Sequence, residues 1–301
     1  MKKEAPTKYP HSACLFQFCR KVLDHKFGGI RVIDQDVGQI LGFDPADCSH
    51  WKKGKKNIRS IQAVKSIADH LGVDEKLIFE VASGEVNENE AFYEYSGYGR
   101  FFVDEDLVES AKKEFYQKNA NTWTRDKESS FRNHFDLKEN QIDEIIKNIH
   151  EKVDFSEAPL YLPEIAASFP QVALKPYDVS DGSPAISSTI KDSTTVIKFP
   201  ANEKMRPYIR YQIAKAMAPS FFETAGMTPP NELGDYADHV RDIQANLFVA
   251  KLLTPAKLIR KELANVNISK DIVSQLADIF WVSKIFMNAR LKDVLEKAPS
   301  I

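Results

Sequence analysis

Cysteine is scarce in this chain: its three residues, Cys14, Cys19 and Cys48, all fall within the first 48 of 301 positions. A small, odd set offers no disulfide framework, and no C-x-x-C pair is present to hold a metal or exchange electrons. Long apolar runs are missing as well, since none approaches the ~18 residues of a membrane span. The opening stretch, MKKEAPTKYPHSACLFQF, is basic but broken by Glu4, Pro6, Pro10 and His11, so it lacks the apolar core of a secretion signal. An excess of one charge is absent too. With a formal net charge of -2, any affinity for nucleic acid has to come from local clustering. No internal repeat or long low-complexity tract occurs. These absences lead to the expectation of a reduced, cytoplasmic protein with no membrane contact.

What is present is ordinary globular material, 43% hydrophobic and 28% charged, over a length sufficient for two cores. Three blocks differ in pattern. Residues 12–82 are short amphipathic segments broken by glycine, with apolar positions at helical spacing: Val37, Ile40 and Leu41, then Ile61, Val64, Ile67, Ala68 and Leu71. Residues 84–135 are polar with scattered aromatics. Their Gly- and Asn-bearing start reads as a linker, followed by a helix capped by Asp104. Residues 138–298 mix types: NQIDEIIKNIHEKV is helical, and PAISSTIKDSTTVIKF reads as a hairpin around Lys191-Asp192. Further helices are expected over 206–222, 235–253, 269–280 and 283–297. The expected class is mainly α, with an all-α N-terminal domain and a C-terminal α+β domain holding a small sheet.

The stretch VIDQDVGQILGFDPADCSHWKKGKK is the most informative. A helix ends at Gly42, and Asp44 can cap a second helix with Pro45 at its first position. That helix runs through Trp51 and stops at Gly54, so the pair forms a helix-turn-helix. Between Cys48 and Ile67 lie Lys52, Lys53, Lys55, Lys56, Arg59 and Lys65, with no acidic residue among them. The four lysines flank Gly54, where a nucleic-acid phosphate would pass. Trp51 and Cys48 belong to the core by their spacing. A protein-interaction module, its lysines forming a solvated face, fits the same pattern.

Over residues 18–80 this stretch resembles the lambda-repressor-like, or XRE-type, helix-turn-helix family. The resemblance rests on Val37, Leu41-Gly42, Cys48, Trp51, Gly54, Ile61, Ile67 and Leu71-Gly72-Val73. It implies an operator in double-stranded DNA and a homodimer. Base-facing positions then fall on Asp44, Pro45, Ala46, Ser49 and His50, and a phosphate contact falls on Gln35. Asp34 departs from the family's usual neutral glutamine, and Asp44 and Asp47 place negative charge at the DNA-facing edge. An aspartate there can still accept from a cytosine amino group.

Further on, RYQIAKAMAP, DHVRDIQANLFVAKLLTPAKLIRKEL and QLADIFWVSKIFMNARLKDV follow the hairpin in order. Residues 140–292 resemble the ImmA/IrrE family of zinc-dependent, zincin-like peptidase domains. Framework matches include Arg210-Tyr211, Ala214, Ala245-Asn246, Phe248, Leu252-Leu253, Pro255, Phe280, Val282-Ser283 and Arg290-Leu291. The chemistry of that family does not transfer. Its two histidine ligands would fall at Lys215 and Pro219 and its general-base glutamate at Ala216, leaving Asp242 near the acidic ligand position. Zinc needs three protein ligands drawn from His, Cys or carboxylate, plus an activated water. A lysine ammonium about 4 Å from a cation opposes it by about 4 kcal/mol at an effective dielectric of 20, and by about twice that for a dication. Alanine cannot take a proton from water. His239, three residues before Asp242, reads as a surface hydrogen-bonding residue rather than a ligand. The resemblance instead brings Lys215 opposite Asp242 as a salt bridge.

The expectation is a DNA-binding transcriptional regulator whose second domain is a catalytically inactive peptidase relative. No catalytic residue, metal or cofactor is expected. That domain would sense a signal, dimerise or meet a partner protein, with Lys215 suited to an acidic small ligand. The alternatives are an antirepressor- or antitoxin-like interaction protein and an active metallopeptidase.

Overall fold

The computed structural model describes residues 7–27, 32–97, 101, 103, 105–118, 124–178, 186–191, 193–201, 205–227, 233–234 and 236–296. Contacts divide the chain into two compact units, Met1–Gly97 and Tyr98–Ile301. Among the described residues the protein is mainly helical, with one three-stranded sheet.

The first unit is all helix: α1 (Pro10–Lys26), α2 (Asp34–Leu41), α3 (Pro45–Lys52), α4 (Ile61–Leu71), α5 (Glu75–Ser83) and α6 (Glu88–Gly97). Proline at the first position suits the start of α1, where its missing N–H is one of the unpaired donors anyway. Leu15, Phe16, Cys19, Val22 and Leu23 recur at helical spacing and are at most 2% exposed. α3, α5 and α6 pack around α1. Ser60 opens α4 by accepting from the Ala63 N–H at 3.1 Å, and Val64, Ile67, Ala68 and Leu71 form its buried stripe.

Residues 84–135 hold more structure than a linker with one helix. Asn87 Oδ1 accepts from the N–H groups of Asn89 and Glu90 at 3.0 Å each, starting α6, which packs on α1 within the first unit. The second unit then opens with α7 (Glu105–Lys118) and α8 (Arg125–Asn133). Their polar faces meet through Lys112–Glu128 at 2.5 Å, Arg132–Glu105 at 3.1 Å and Arg132–Glu109 at 2.6 Å. Beneath lies the Phe115–Phe131 ring contact at 5.4 Å. Asp104 and Asp192 lie outside the described residues.

The rest of the second unit runs α9 (Glu139–Lys152), α10 (Leu162–Ser168), β1 (Val172–Tyr177), β2 (Ser187–Lys191), β3 (Thr194–Pro200), α11 (Pro207–Thr224), α12 (Tyr236–Leu253), α13 (Ala256–Leu263), α14 (Ile272–Phe280) and α15 (Lys284–Glu296). The sheet has order β1-β3-β2: β2 pairs antiparallel with β3, and β1 pairs parallel with it. β1 was not visible in the sequence. It contains Pro176 and sits at an edge, where a missing ladder donor does no harm. α11 lies against β3, tied by Ser220 Oγ donating to Thr195 Oγ1 at 2.6 Å. α12 is buried continuously from Ile243 to Ala250 and packs against α9 and α11. Phe248 stacks on Phe221 at 5.7 Å and meets Phe222 edge-on at 5.6 Å. Burying such a side chain contributes roughly 1.5–3 kcal/mol.

Two buried arginines finish helices in this unit. Arg290 Nε donates to the Thr254 carbonyl at 3.2 Å, just beyond α12, and its guanidinium also pairs with Asp293. Arg210 donates to the carbonyls of Phe280 and Trp281 at 3.0 Å each and of Leu160 at 2.5 Å. A cation at a helix C-terminus complements its dipole and exposed carbonyls. This explains how α14 ends on Trp281, a non-glycine residue at φ 52. Burial holds the Arg210 guanidinium down to about 10, against a small opposing effect of Tyr161. No described helix is long and apolar enough to cross a membrane.

Candidate functional sites

In the first unit, α2 and α3 are held in a fixed relation by local chemistry. Gly42 is left-handed at φ 73, and Asp44 Oδ1 then accepts from the Ala46 N–H at 2.8 Å to start α3. At the far end Gly54 (φ 60) donates to the Trp51 carbonyl, and Lys55 N–H to the His50 carbonyl, each at 2.8 Å. These are the paired bonds of a Schellman cap. A side chain at 54 would place Cβ 2.2 Å from Thr7 Cγ2 and 2.8 Å from the Tyr9 carbonyl oxygen, so glycine is needed for room as well as for φ.

Trp51 anchors α3 from within. It is 1% exposed, lies edge-on to Phe16 at 5.2 Å, and donates its indole N–H to the Ser12 carbonyl at 2.6 Å. Cys48 is fully buried where α2 passes closely: a Cβ on Gly38 would meet Cys48 Sγ at 2.9 Å. Burial pushes the Cys48 thiol up, and the charges of Asp34, Asp47 and Asp44 push the same way against Lys56. Cys14 is pushed up to about 12, first by burial and then by its hydrogen bond to Glu88. Both remain protonated and inert.

The outward surface carries the residues singled out from the sequence. Gln35, Asp44, Pro45, Ala46, His50, Lys53 and Lys55 are exposed, and Ser49, Lys52 and Lys56 are half-buried. Two of them are engaged in ways the sequence did not show. Lys52 Nζ lies 2.8 Å from Asp34 Oδ2, and Lys56 Nζ lies 2.5 Å from Asp47 Oδ2. Arg20 also approaches Asp34 at 3.9 Å. Asp44 caps α3 as expected and remains exposed. Screened pairs of this kind stabilise by at most about 1 kcal/mol. Their larger consequence is that two of the four lysines carry a counter-charge of their own.

The second unit builds its site from two rungs between α11 and α12. Tyr211 and Lys215 are four residues apart on α11, as are Asp242 and Asn246 on α12, so each pair shares a helix face. Tyr211 OH donates to Asn246 Oδ1 at 2.5 Å, and Lys215 Nζ lies 2.6 Å from Asp242 Oδ1. Asn246 Nδ2 reaches the other Asp242 oxygen at 3.4 Å. The lower rung is buried, with Tyr211 3% and Asn246 1% exposed. The upper rung opens to solvent, its side chains being 16% exposed for Lys215 and 54% for Asp242. The sequence reading set Tyr211 beside Lys215 and Asp242 at the border of a groove, whereas Asn246 entered it only as a framework residue, although its helical spacing from Asp242 was there to be read.

Ala216 is half-buried and Pro219 exposed on the same stretch of α11. An ammonium, a methyl and a pyrrolidine ring supply no metal ligand and no base, so the donor set does not fit a zinc centre. His239 lies on α12, half-buried. Among the described residues no group of three or more His, Cys, Asp or Glu side chains is placed to hold a metal ion. Compared with known proteins, the chain matches no family model, no curated protein and no solved structure.

Proposed function

We propose that the protein is a cytoplasmic, DNA-binding transcriptional regulator of the XRE helix-turn-helix type, whose second unit is a catalytically inactive relative of ImmA/IrrE peptidases. The observation that carries the first half is α3 itself. It is fixed by the Asp44 cap, the Gly54 cap and buried Trp51, and it presents Pro45, Ala46 and His50 outward with Lys53 and Lys55 beyond its end. A rigid short helix with exposed polar side chains and adjacent cations suits a major groove flanked by phosphates. For the second half, support comes from Lys215, Ala216 and Pro219 on α11, of which Lys215 meets Asp242 on α12. Protein charges meet there, where the family would place a metal. The unit then serves in dimerisation or in sensing a ligand or partner. Lys215 already carries a carboxylate partner, so an acidic ligand would have to displace or share Asp242.

A second reading, a protein-interaction module, draws on the Lys52–Asp34 and Lys56–Asp47 pairs, which reduce the free positive charge on the α3 side. Salt dependence separates the two. The full chain is used to select duplexes from a random pool, and affinity for the winner is followed against salt. Four lysines per subunit of a dimer give a log-log slope of about -7, and two give about -4. A slope near zero, or no enrichment, overturns DNA binding and leaves the interaction module.

A further inference from the structure

Outside the α2–α3 pair, the start of α1 is docked on the turn that ends α3. The Tyr9 N–H donates to the Gly54 carbonyl at 2.8 Å, and Thr7 lies against Gly54 so closely that an added Cβ would meet it at 2.2 Å. One turn further in, Ser12 accepts from the Trp51 indole at 2.6 Å through its carbonyl and from the Ile58 N–H at 2.8 Å through Oγ. Residues 7–9 therefore run beside Lys53-Gly54-Lys55, and Lys8 joins a cluster from which it is far removed in sequence. Lys8 is exposed, with its Nζ 5.2 Å from the Tyr9 ring centre.

Charge pairing sorts the cluster. Lys52 and Lys56 are bound to Asp34 and Asp47. Lys8, Lys53, Lys55 and Arg59 are exposed, and none of them has an ion-pair partner among the described residues. A phosphate approaching the Gly54 turn meets these unpaired cations first, and binding them releases condensed counterions without breaking an internal pair.

We propose that Lys8, placed by the Tyr9–Gly54 contact, is a phosphate-positioning residue. With Lys53, Lys55 and Arg59 it forms the nucleic-acid backbone contact of the first unit, in preference to Lys52 and Lys56. The inference rests on the DNA-binding reading and adds a residue and an order of importance to it. A phosphate contact carries no sequence information, so its loss weakens preferred and unrelated duplexes by the same factor.

The test uses the full-length chain with Lys8→Ala, Lys52→Ala and Lys76→Ala, the last removing a lysine on α5. Affinity is measured on the selected duplex and on a scrambled one between 50 and 200 mM salt. The expected result for Lys8→Ala is an equal loss on both duplexes, about eightfold per contact near 0.1 M salt, and a slope shallower by about 1 per contact. Lys52→Ala and Lys76→Ala should change affinity less. Equal losses for Lys8→Ala and Lys76→Ala would reduce the effect to overall charge and overturn the proposal. So would a loss confined to the selected duplex, or a larger loss for Lys52→Ala. Binding by the parent with no change for Lys8→Ala overturns the inference alone, whereas a parent that binds no duplex overturns the DNA reading itself.

Discussion

Replacing Pro219 with alanine should stabilise the second unit. Pro219 lies inside α11, five residues before its end at Thr224, and its ring is exposed. Having no N–H, it leaves the Lys215 carbonyl without its helical donor, and its ring crowds that carbonyl. In a helix interior proline is less favourable than alanine by about 3 kcal/mol. Proline also restricts the unfolded chain, which returns about 0.4–1 kcal/mol. Exposure means that little buried surface is lost with the ring, so the net expectation is a gain of about 2 kcal/mol. For a domain of this size that amounts to about 4–8 °C in Tm.

Scanning calorimetry of the full chain is the direct assay, because the two units can unfold in separate transitions and only the second should move. An unchanged or lowered Tm would refute the reasoning. It would mean that the shape imposed by proline is what seats Phe221 and Phe222 against Phe248, so that regular helix geometry there strains the core. The result also bears on function. On the proposed peptidase relationship Pro219 stands where a ligand histidine would, and a stabilising Pro219→Ala change is what that proposal expects.

Two other expectations concern the same unit. His150 on α9 bonds the Leu252 carbonyl through Nε2 at 3.0 Å, and burial holds its imidazole below the ordinary value, against that hydrogen bond. Its contribution to stability is therefore complete above an unfolded value of about 6.5 and is lost as pH falls below it toward the folded value. His150→Gln keeps an N–H donor and cannot be protonated, so its urea stability should fall less than the parent's between pH 8 and 5; parallel profiles would refute this. Grafting Lys215→His, Ala216→Glu and Pro219→His beside Asp242 should create a zinc site, because i and i+4 histidines on one helix face a carboxylate on the next. Zinc at about 100 times its Kd should stabilise the folded variant by about 2.7 kcal/mol, reversed by chelator. A folded variant that binds no zinc would remove the peptidase relationship.

How much could be read from the sequence depended on how far apart the interacting residues lie. The α2–α3 turn was legible because Gly42, Asp44 and Pro45 act within a few positions of one another. The β2–β3 hairpin was legible for the same reason. β1 was not, because its partner β3 begins 22 residues after β1 does and its parallel pairing leaves no local trace. α6 escaped notice because ENEAFYEYSG has a weak apolar stripe and gains its order by packing on α1. Glycine and polar residues around it signalled a linker, and tertiary packing overrode them. At the second site the Lys215–Asp242 pair was legible from the sequence, but the Tyr211–Asn246 rung beneath it needed two helices to be brought side by side.

Both candidate sites lead to one physical point about charge. A lysine at a functional position reads in sequence as a free cation, yet Lys52, Lys56 and Lys215 each face an aspartate from another part of the chain. On the α3 side the pairing is selective, leaving Lys53 and Lys55 beside Gly54 without an ion-pair partner among the described residues, as it does Lys8. Between α11 and α12 it falls on Lys215, and Asp242 makes that charge a tie between the two helices. The count of positive residues in SHWKKGKKNIRS therefore overstates the charge offered to a partner, whereas the three-dimensional pairing picks out which residues offer it. Affinity should follow the unpaired set, and the aspartates become its regulators. Asp34→Asn and Asp47→Asn would free Lys52 and Lys56, converting buffered cations into available ones without changing Pro45, Ala46, Ser49 or His50.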